Sequence, residues 1–241
     1  MYEICPKCHY RRQQSDTGST EICPACGLVF SKWMKQQFRA EEKDVDRHAV
    51  ENQFFVQDTG TAVEPAVLWG RLAVYLLLFF WGWYFILLKM ESNEIGYSFM
   101  HNVDLVFHEA GHVFFRLLGN FMMVLGGSLM QIIMPLVVMF VFLFKQHDAF
   151  GASVGLWWTG QSMMDIAPYI NDARSMQLQL VGGGTGRDRP GMHDWNNILW
   201  DLGLLPQDHA IARTVDTLGE MVMILALIWG GYVLYRQFKQ A

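Results

Sequence analysis

The sequence predicts an all-α polytopic membrane protein, with about five transmembrane helices following a small metal-binding head. Three observations point there. Hydrophobic residues make up 52% of the chain and charged residues 17%, but unevenly: residues 1–65 are polar, whereas 66–241 hold several apolar runs near the roughly twenty residues that span a bilayer. All four cysteines fall within residues 1–26, as two C-x2-C pairs. One apolar run contains His108-Glu109-Ala110-Gly111-His112, an H-E-x-x-H. The net charge of −5 argues against a nucleic-acid partner held by a basic surface. The first apolar run comes too late for a cleaved leader, so the first span is expected to be an uncleaved anchor.

The head reads Cys5-Pro6-Lys7-Cys8, then Cys23-Pro24-Ala25-Cys26-Gly27. Each pair forms a tight knuckle that turns two thiolates inward, and Gly27 suits the turn after the second. Four thiolates at this spacing suit a closed structural zinc site; a rubredoxin-like iron site would use the same ligands. The stretch resembles a zinc ribbon over residues 1–35 and should not fold without its metal. Residues 36–65 are a charged linker (Arg39, Glu41, Glu42, Lys43, Asp44) ending at Pro65, with His48 an ordinary surface histidine.

The expected spans are Ala66 to about Leu88, Tyr97–Leu118, Leu129–Phe144, Phe150–Ile170 and Thr214–Tyr235. Trp69, Trp81, Trp83 and Tyr84 suit interfacial belts, and Arg71 can snorkel from one end of the first span. Residues 119–128 are too apolar for an ordinary loop and too glycine-rich for a stable helix. They read either as a re-entrant hairpin lining a cavity or as a tight turn. Gly151 and Gly155 permit close helix approach in the fourth span. Lys and Arg concentrate in the head, the linker and the 171–213 connection. With five spans this places the ribbon inside and the C-terminus outside. A reducing cytoplasm suits free thiolates, and the compact spans fit a bacterial inner membrane.

The second span carries the chemistry. Asp104, His108, His112, Arg116 and Asn120 recur every four residues, with His101 one turn earlier, and so keep to one side of a helix. Ionisable groups in a membrane helix face a bundle interior or a wet cavity. His108 and His112 can grip one metal ion, with Glu109 beside them to handle an activated water. Asp104 is placed to hold the His108 ring by its other nitrogen. In the fourth span Gln161, Asp165, Pro168 and Asp172 share a face. The long polar connection contains Gly182-Gly183-Gly184-Thr185-Gly186-Arg187, which matches neither a P-loop nor a dinucleotide fingerprint. It also contains His193, either a surface histidine or a metal ligand from a loop, and Asp194, which can cap a short amphipathic helix.

An H-E-x-x-H within an apolar helix resembles the site-2 protease group of intramembrane zinc metalloproteases. The likeness covers about residues 97–174. That family takes its third ligand, an aspartate, from a motif like N-x-x-P-x-x-x-x-D-G two helices later; here Asp165-Ile166-Ala167-Pro168-Tyr169-Ile170-Asn171-Asp172-Ala173 is similar. By motif the third ligand is Asp172, by depth it is Asp165, and His193 stands as an outside candidate. The resemblance implies a zinc metalloendopeptidase that cleaves membrane protein or peptide substrates. Its zinc would be held by His108, His112 and one aspartate, with Glu109 as general base. The competing expectation is a non-catalytic, metal-stabilised scaffold or accessory subunit of a larger membrane complex. Metal transport is a third, and would need ligands along the full depth of several helices.

Overall fold

A computed structural model describes residues 3–16, 18–37 and 63–241. The chain divides into two units, Met1–Asn52 and Gln53–Ala241, each considered by itself. Most of the charged linker, including His48, lies outside the described residues.

In the first unit the two knuckles fold alike. Cys5 N–H donates to Tyr10 O at 2.8 Å and His9 N–H to Cys5 O at 2.9 Å; Cys23 N–H donates to Leu28 O and Gly27 N–H to Cys23 O, both at 2.9 Å. The backbone is left-handed at the matching residue of each, φ 58° at His9 and 70° at Gly27. Glycine takes that conformation freely, as the sequence suggests, whereas His9 adopts it against the usual preference. A helix follows over 30–37, α1, and its Phe30 is buried against Cys5 and Cys23.

The second unit is helical: α2 (Pro65–Leu87), α3 (Phe99–Phe115), α4 (Asn120–Phe140), α5 (Ala149–Asn171), α6 (Asp194–Asp201) and α7 (Asp208–Gln240). Among the described residues the only β features are isolated bridges, such as Gln179 with Thr185. Pro65 opens α2 where a missing N–H does no harm. Ser98 Oγ caps α3 by accepting His101 N–H at 3.1 Å, and Asp148 caps α5 by accepting Gly151 N–H at 3.1 Å. Asp148 also pairs with Arg71 of α2 at 3.1 Å, so Arg71 is tied to protein.

Among the described residues, three helical segments are long and apolar enough to cross a membrane: Pro65–Leu87, Asn120–Lys145 and Leu205–Gln240. Their outward faces carry exposed Leu77, Phe80, Val137, Leu225 and Ile228. The expected second and fourth spans fall short by length and composition. Helix α3 has only 17 residues, and α5 contains Ser153, Thr159, Gln161, Ser162 and Asp165, all buried. Most of α5 is buried, and its largest contacts are with α7 and then α4. A helix enclosed by helices meets protein instead of lipid, so its polar groups need protein partners and leave no continuous apolar run. Gly160 and Gly219 let α5 and α7 close up. A Cβ at either would lie 2.8 Å from the other's carbonyl oxygen.

Residues 119–128 are neither a hairpin nor a loop. Gly119, at φ 99°, ends the turn after α3, and α4 begins at Asn120. It runs through Pro135 and continues as a π-helical turn, Val141–Lys145. The glycines that argue against a helix here serve its packing. A Cβ on Gly111 of α3 would sit 2.1 Å from Gly126 O, and one on Gly126 would sit 2.7 Å from Gly111 O. Glycine costs about 1 kcal/mol relative to alanine within a helix; the close α3–α4 crossing offsets it. Gly155 serves the α4–α5 crossing in the same way, with Met139 N 2.7 Å from a built Cβ.

Candidate metal centres

In the first unit the four cysteines meet as the sequence predicts. Cys5 Sγ lies 3.7 Å from Cys26 Sγ, and Cys8 Sγ lies 3.7 Å from Cys23 Sγ. A disulfide would need about 2.0 Å. Tetrahedral Zn–S bonds of about 2.3 Å set the sulfurs about 3.8 Å apart, which is the spacing seen. Burial opposes ionisation of Cys5, but the N–H groups of Cys8 and Lys7 outweigh it and bring its thiol to about 6. At Cys8 the Tyr10 N–H favours the thiolate, while burial and the neighbouring sulfurs drive the thiol to about 12. A cation among the sulfurs would favour the thiolate at both Cys5 and Cys8.

The second centre is assembled from distant parts of the chain. His108 and His112 lie four residues apart on α3 and share a face. The carboxylate that meets them is that of Asp194, in the first turn of α6. Asp194 Oδ2 is 3.1 Å from His108 Nε2 and 3.3 Å from His112 Nε2, and the three form one group with metal-ligand spacing. Zn–N and Zn–O bonds of about 2.0–2.1 Å would separate tetrahedral donors by about 3.3 Å.

The tautomers follow from the neighbours. His112 Nδ1 is 2.8 Å from Met123 O, which can only accept, so Nδ1 carries the proton. Gln131 Nε2 donates to Asp165 Oδ2 at 2.9 Å. Its Oε1 therefore faces His108 Nδ1, 3.2 Å away, and that nitrogen carries a proton too. Both Nε2 atoms thus point at the Asp194 carboxylate, a contact that either a metal ion between them or a proton on Nε2 would satisfy. Burial pushes the Asp194 carboxyl up, but His108 and His112 outweigh it and hold it below the ordinary range. Gly127 of α4 closes the back of the site: a Cβ there would lie 2.5 Å from His108 Nε2 and 2.7 Å from His112 Nε2.

Neither Asp165 nor Asp172 is in this group. Asp165 binds His101 Nδ1 at 3.0 Å and orients Gln131. Asp172 caps the end of α5, where it accepts a hydrogen bond from Ser175 Oγ and the N–H groups of Gln177 at 2.9 Å and Leu178 at 2.8 Å. Burial raises its carboxyl, but these partners and His193 bring it below the usual value. His193 Nε2 is 3.3 Å from Asp172 Oδ2 and its Nδ1 accepts Asn196 N–H at 3.2 Å. His193, and not Asp194, therefore caps α6. The helix is further pinned by Trp195 Nε1 donating to Ser128 Oγ at 3.0 Å and Asn196 Nδ2 donating to Ala173 O at 2.8 Å. Asp172 and His193 thus position the helix that carries Asp194. Asp104 is not the partner of His108 either: its Oδ1 accepts Trp158 Nε1 at 2.7 Å and Ser162 Oγ at 3.1 Å.

The centre opens on a cavity of about 590 Å³ whose walls include His101, Glu109, Tyr169, Leu178 and Asp194. Glu109 is exposed on that wall, beside His108. Sequence reasoning missed Asp194, Gln131 and Tyr169. The available signal was an acid opening a short amphipathic helix directly after a histidine, and it was legible only as a cap.

The chain matches no protein-family model, no curated protein and no solved structure in these comparisons.

Proposed function

We propose that this chain is a membrane-embedded zinc metallopeptidase hydrolysing peptide bonds of membrane protein or peptide substrates. The observation that carries the reading is the convergence of the His108 and His112 Nε2 atoms on Asp194, with Glu109 on the wall of the same cavity. A zinc ion held by those three residues supplies Lewis acidity, which lowers the pKa of a water and polarises a carbonyl. Glu109 takes the water's proton as the oxygen attacks the carbonyl carbon, and returns it to the leaving nitrogen. Gln131 and Met123 O hold the imidazoles in the tautomer that binds metal. The cavity admits both water and an unwound length of substrate backbone. In this reading α3 and α5 complete a five-span bundle, shielded by the three apolar helices. The four-cysteine head holds a structural zinc on the cytoplasmic side, and the bilayer is a bacterial inner membrane.

A second reading draws on the same distances. At 3.1 and 3.3 Å an imidazolium–carboxylate pair would also hold α6 in place, as a non-catalytic scaffold or accessory subunit would require. Zinc content and cleavage separate the two. The peptidase binds two zinc ions per chain, and Glu109→Gln keeps both while abolishing cleavage of a membrane substrate. One zinc per chain, unchanged by added metal, would leave the scaffold.

A further inference from the structure

We infer that Tyr169 is an oxyanion donor in this site: its phenolic hydrogen binds the substrate carbonyl oxygen as that oxygen becomes negative. The inference rests on the peptidase reading for its chemistry, but not for its test.

Tyr169 stands in the last turn of α5. Its ring packs on His193, with centroids 4.3 Å apart, and lies edge-on to the His108 ring at 6.4 Å. Its hydroxyl oxygen accepts Asp194 N–H at 3.0 Å. That bond uses the oxygen and leaves the hydroxyl hydrogen free to donate. Among the described residues no acceptor for it is found, and the residue lines the cavity. Asp194 supplies both the N–H beneath the phenol and the carboxylate at the centre, so a single residue joins the hydroxyl to the candidate metal ligands. With the ring braced by His193 and the oxygen braced by Asp194, the donor is set before any substrate arrives. Such preorganisation makes oxyanion donors effective.

Two other donors on the cavity wall, His101 and Arg189, do not fit that place. His101 is two turns from His108, about 10 Å along the axis at 1.5 Å per residue. The Arg189 guanidinium is turned to Val181 O and Gly183 O. In the step itself the water oxygen bonds to the carbonyl carbon, and the C=O π pair moves to the carbonyl oxygen. The water's proton goes to Glu109. When the C–N bond breaks, that proton passes to nitrogen. Tyr169 keeps its own proton throughout.

The test uses the full chain, loaded with zinc in detergent, with inorganic phosphate as a tetrahedral oxyanion probe. Phosphate affinity and zinc content are measured for the wild type, Tyr169→Phe and Glu109→Gln. Tyr169→Phe is expected to keep two zinc ions and to weaken phosphate at least tenfold, while Glu109→Gln binds phosphate at least as well as the wild type. Equal phosphate affinity in the wild type and Tyr169→Phe, or no phosphate binding to the loaded wild type, would overturn the inference. Loss of one zinc in Tyr169→Phe would overturn it too, by making the phenol a support of the centre. Cleavage judges the peptidase reading separately: given a substrate, Tyr169→Phe should lower kcat about 10²–10³-fold with little change in KM.

Discussion

The two candidate metal centres are built in opposite ways. The four cysteines come from two short knuckles close in sequence. Both knuckles have the same backbone hydrogen bonds, and the sulfurs sit 3.7 Å apart. The site has four soft ligands and no position left open, which suits metal that holds a fold together. The other centre takes two imidazoles from α3 and a carboxylate 86 positions on. It has three ligands and faces a cavity of about 590 Å³. Three ligands and an open side suit a metal that does chemistry. The difference lies in how each is supported. The knuckles carry their own geometry, whereas the second centre depends on Gln131, Asp165, Gly127, Asp172 and His193, none of which touches the ion it would hold.

The two centres separate most directly at Asp194. Asp194→Ala is expected to halve the zinc content of the purified chain, from two ions to one, while the ribbon zinc stays. A variant that kept two zinc ions by elemental analysis would move the third ligand elsewhere. Next in size is Glu109→Gln, which should lower the turnover of a membrane substrate by about 10²–10⁴ with the zinc content unchanged. If the variant cleaved as fast as the wild type, another base would have to be found. Removing support should cost less. Gly127→Ala forces a methyl group toward His108 Nε2, and Gln131→Leu removes the acceptor from His108 Nδ1. Each should weaken zinc at the second centre about 10–100-fold and leave the cysteine site unaffected, as competition with a chelator would reveal.

The smallest effect expected is a pH dependence. The Asp172 carboxyl is held below its ordinary value of about 3.9 by His193, Ser175 and two N–H groups, against the pull of burial. A depressed carboxyl contributes stability above its unfolded pKa and loses it as pH falls through the folded value. The docking of α6 should therefore be intact at neutral pH and weaken only in acid, below the ordinary carboxylate range. Asp172→Asn should flatten that acid limb in thermal melts of the zinc-loaded protein recorded across pH. A limb of unchanged depth would place the acid-sensitive group elsewhere.

Much of the molecule was legible in the chain wherever chemistry repeats over a short range. Two C-x2-C pairs bring four sulfurs together because each knuckle is a local turn, and H-E-x-x-H puts two imidazoles on one face because a helix repeats every 3.6 residues. The long apolar runs marked Pro65–Leu87, the 129–144 part of Asn120–Lys145 and much of Leu205–Gln240 as helices able to cross a bilayer. Tertiary structure alone decided the rest. The glycines of residues 119–128 look like helix breakers until Gly111 of α3 is seen against Gly126. Asp165 and Asp172 resemble ligands by motif and depth, but Gln131 and the 175–178 backbone claim them. Asp194 reads as a helix cap until α6 is docked by Trp195, Asn196 and His193. Spacing along one element is written in the sequence. Which side chain meets another across elements depends on how the helices pack, and packing is set by shape and partner together.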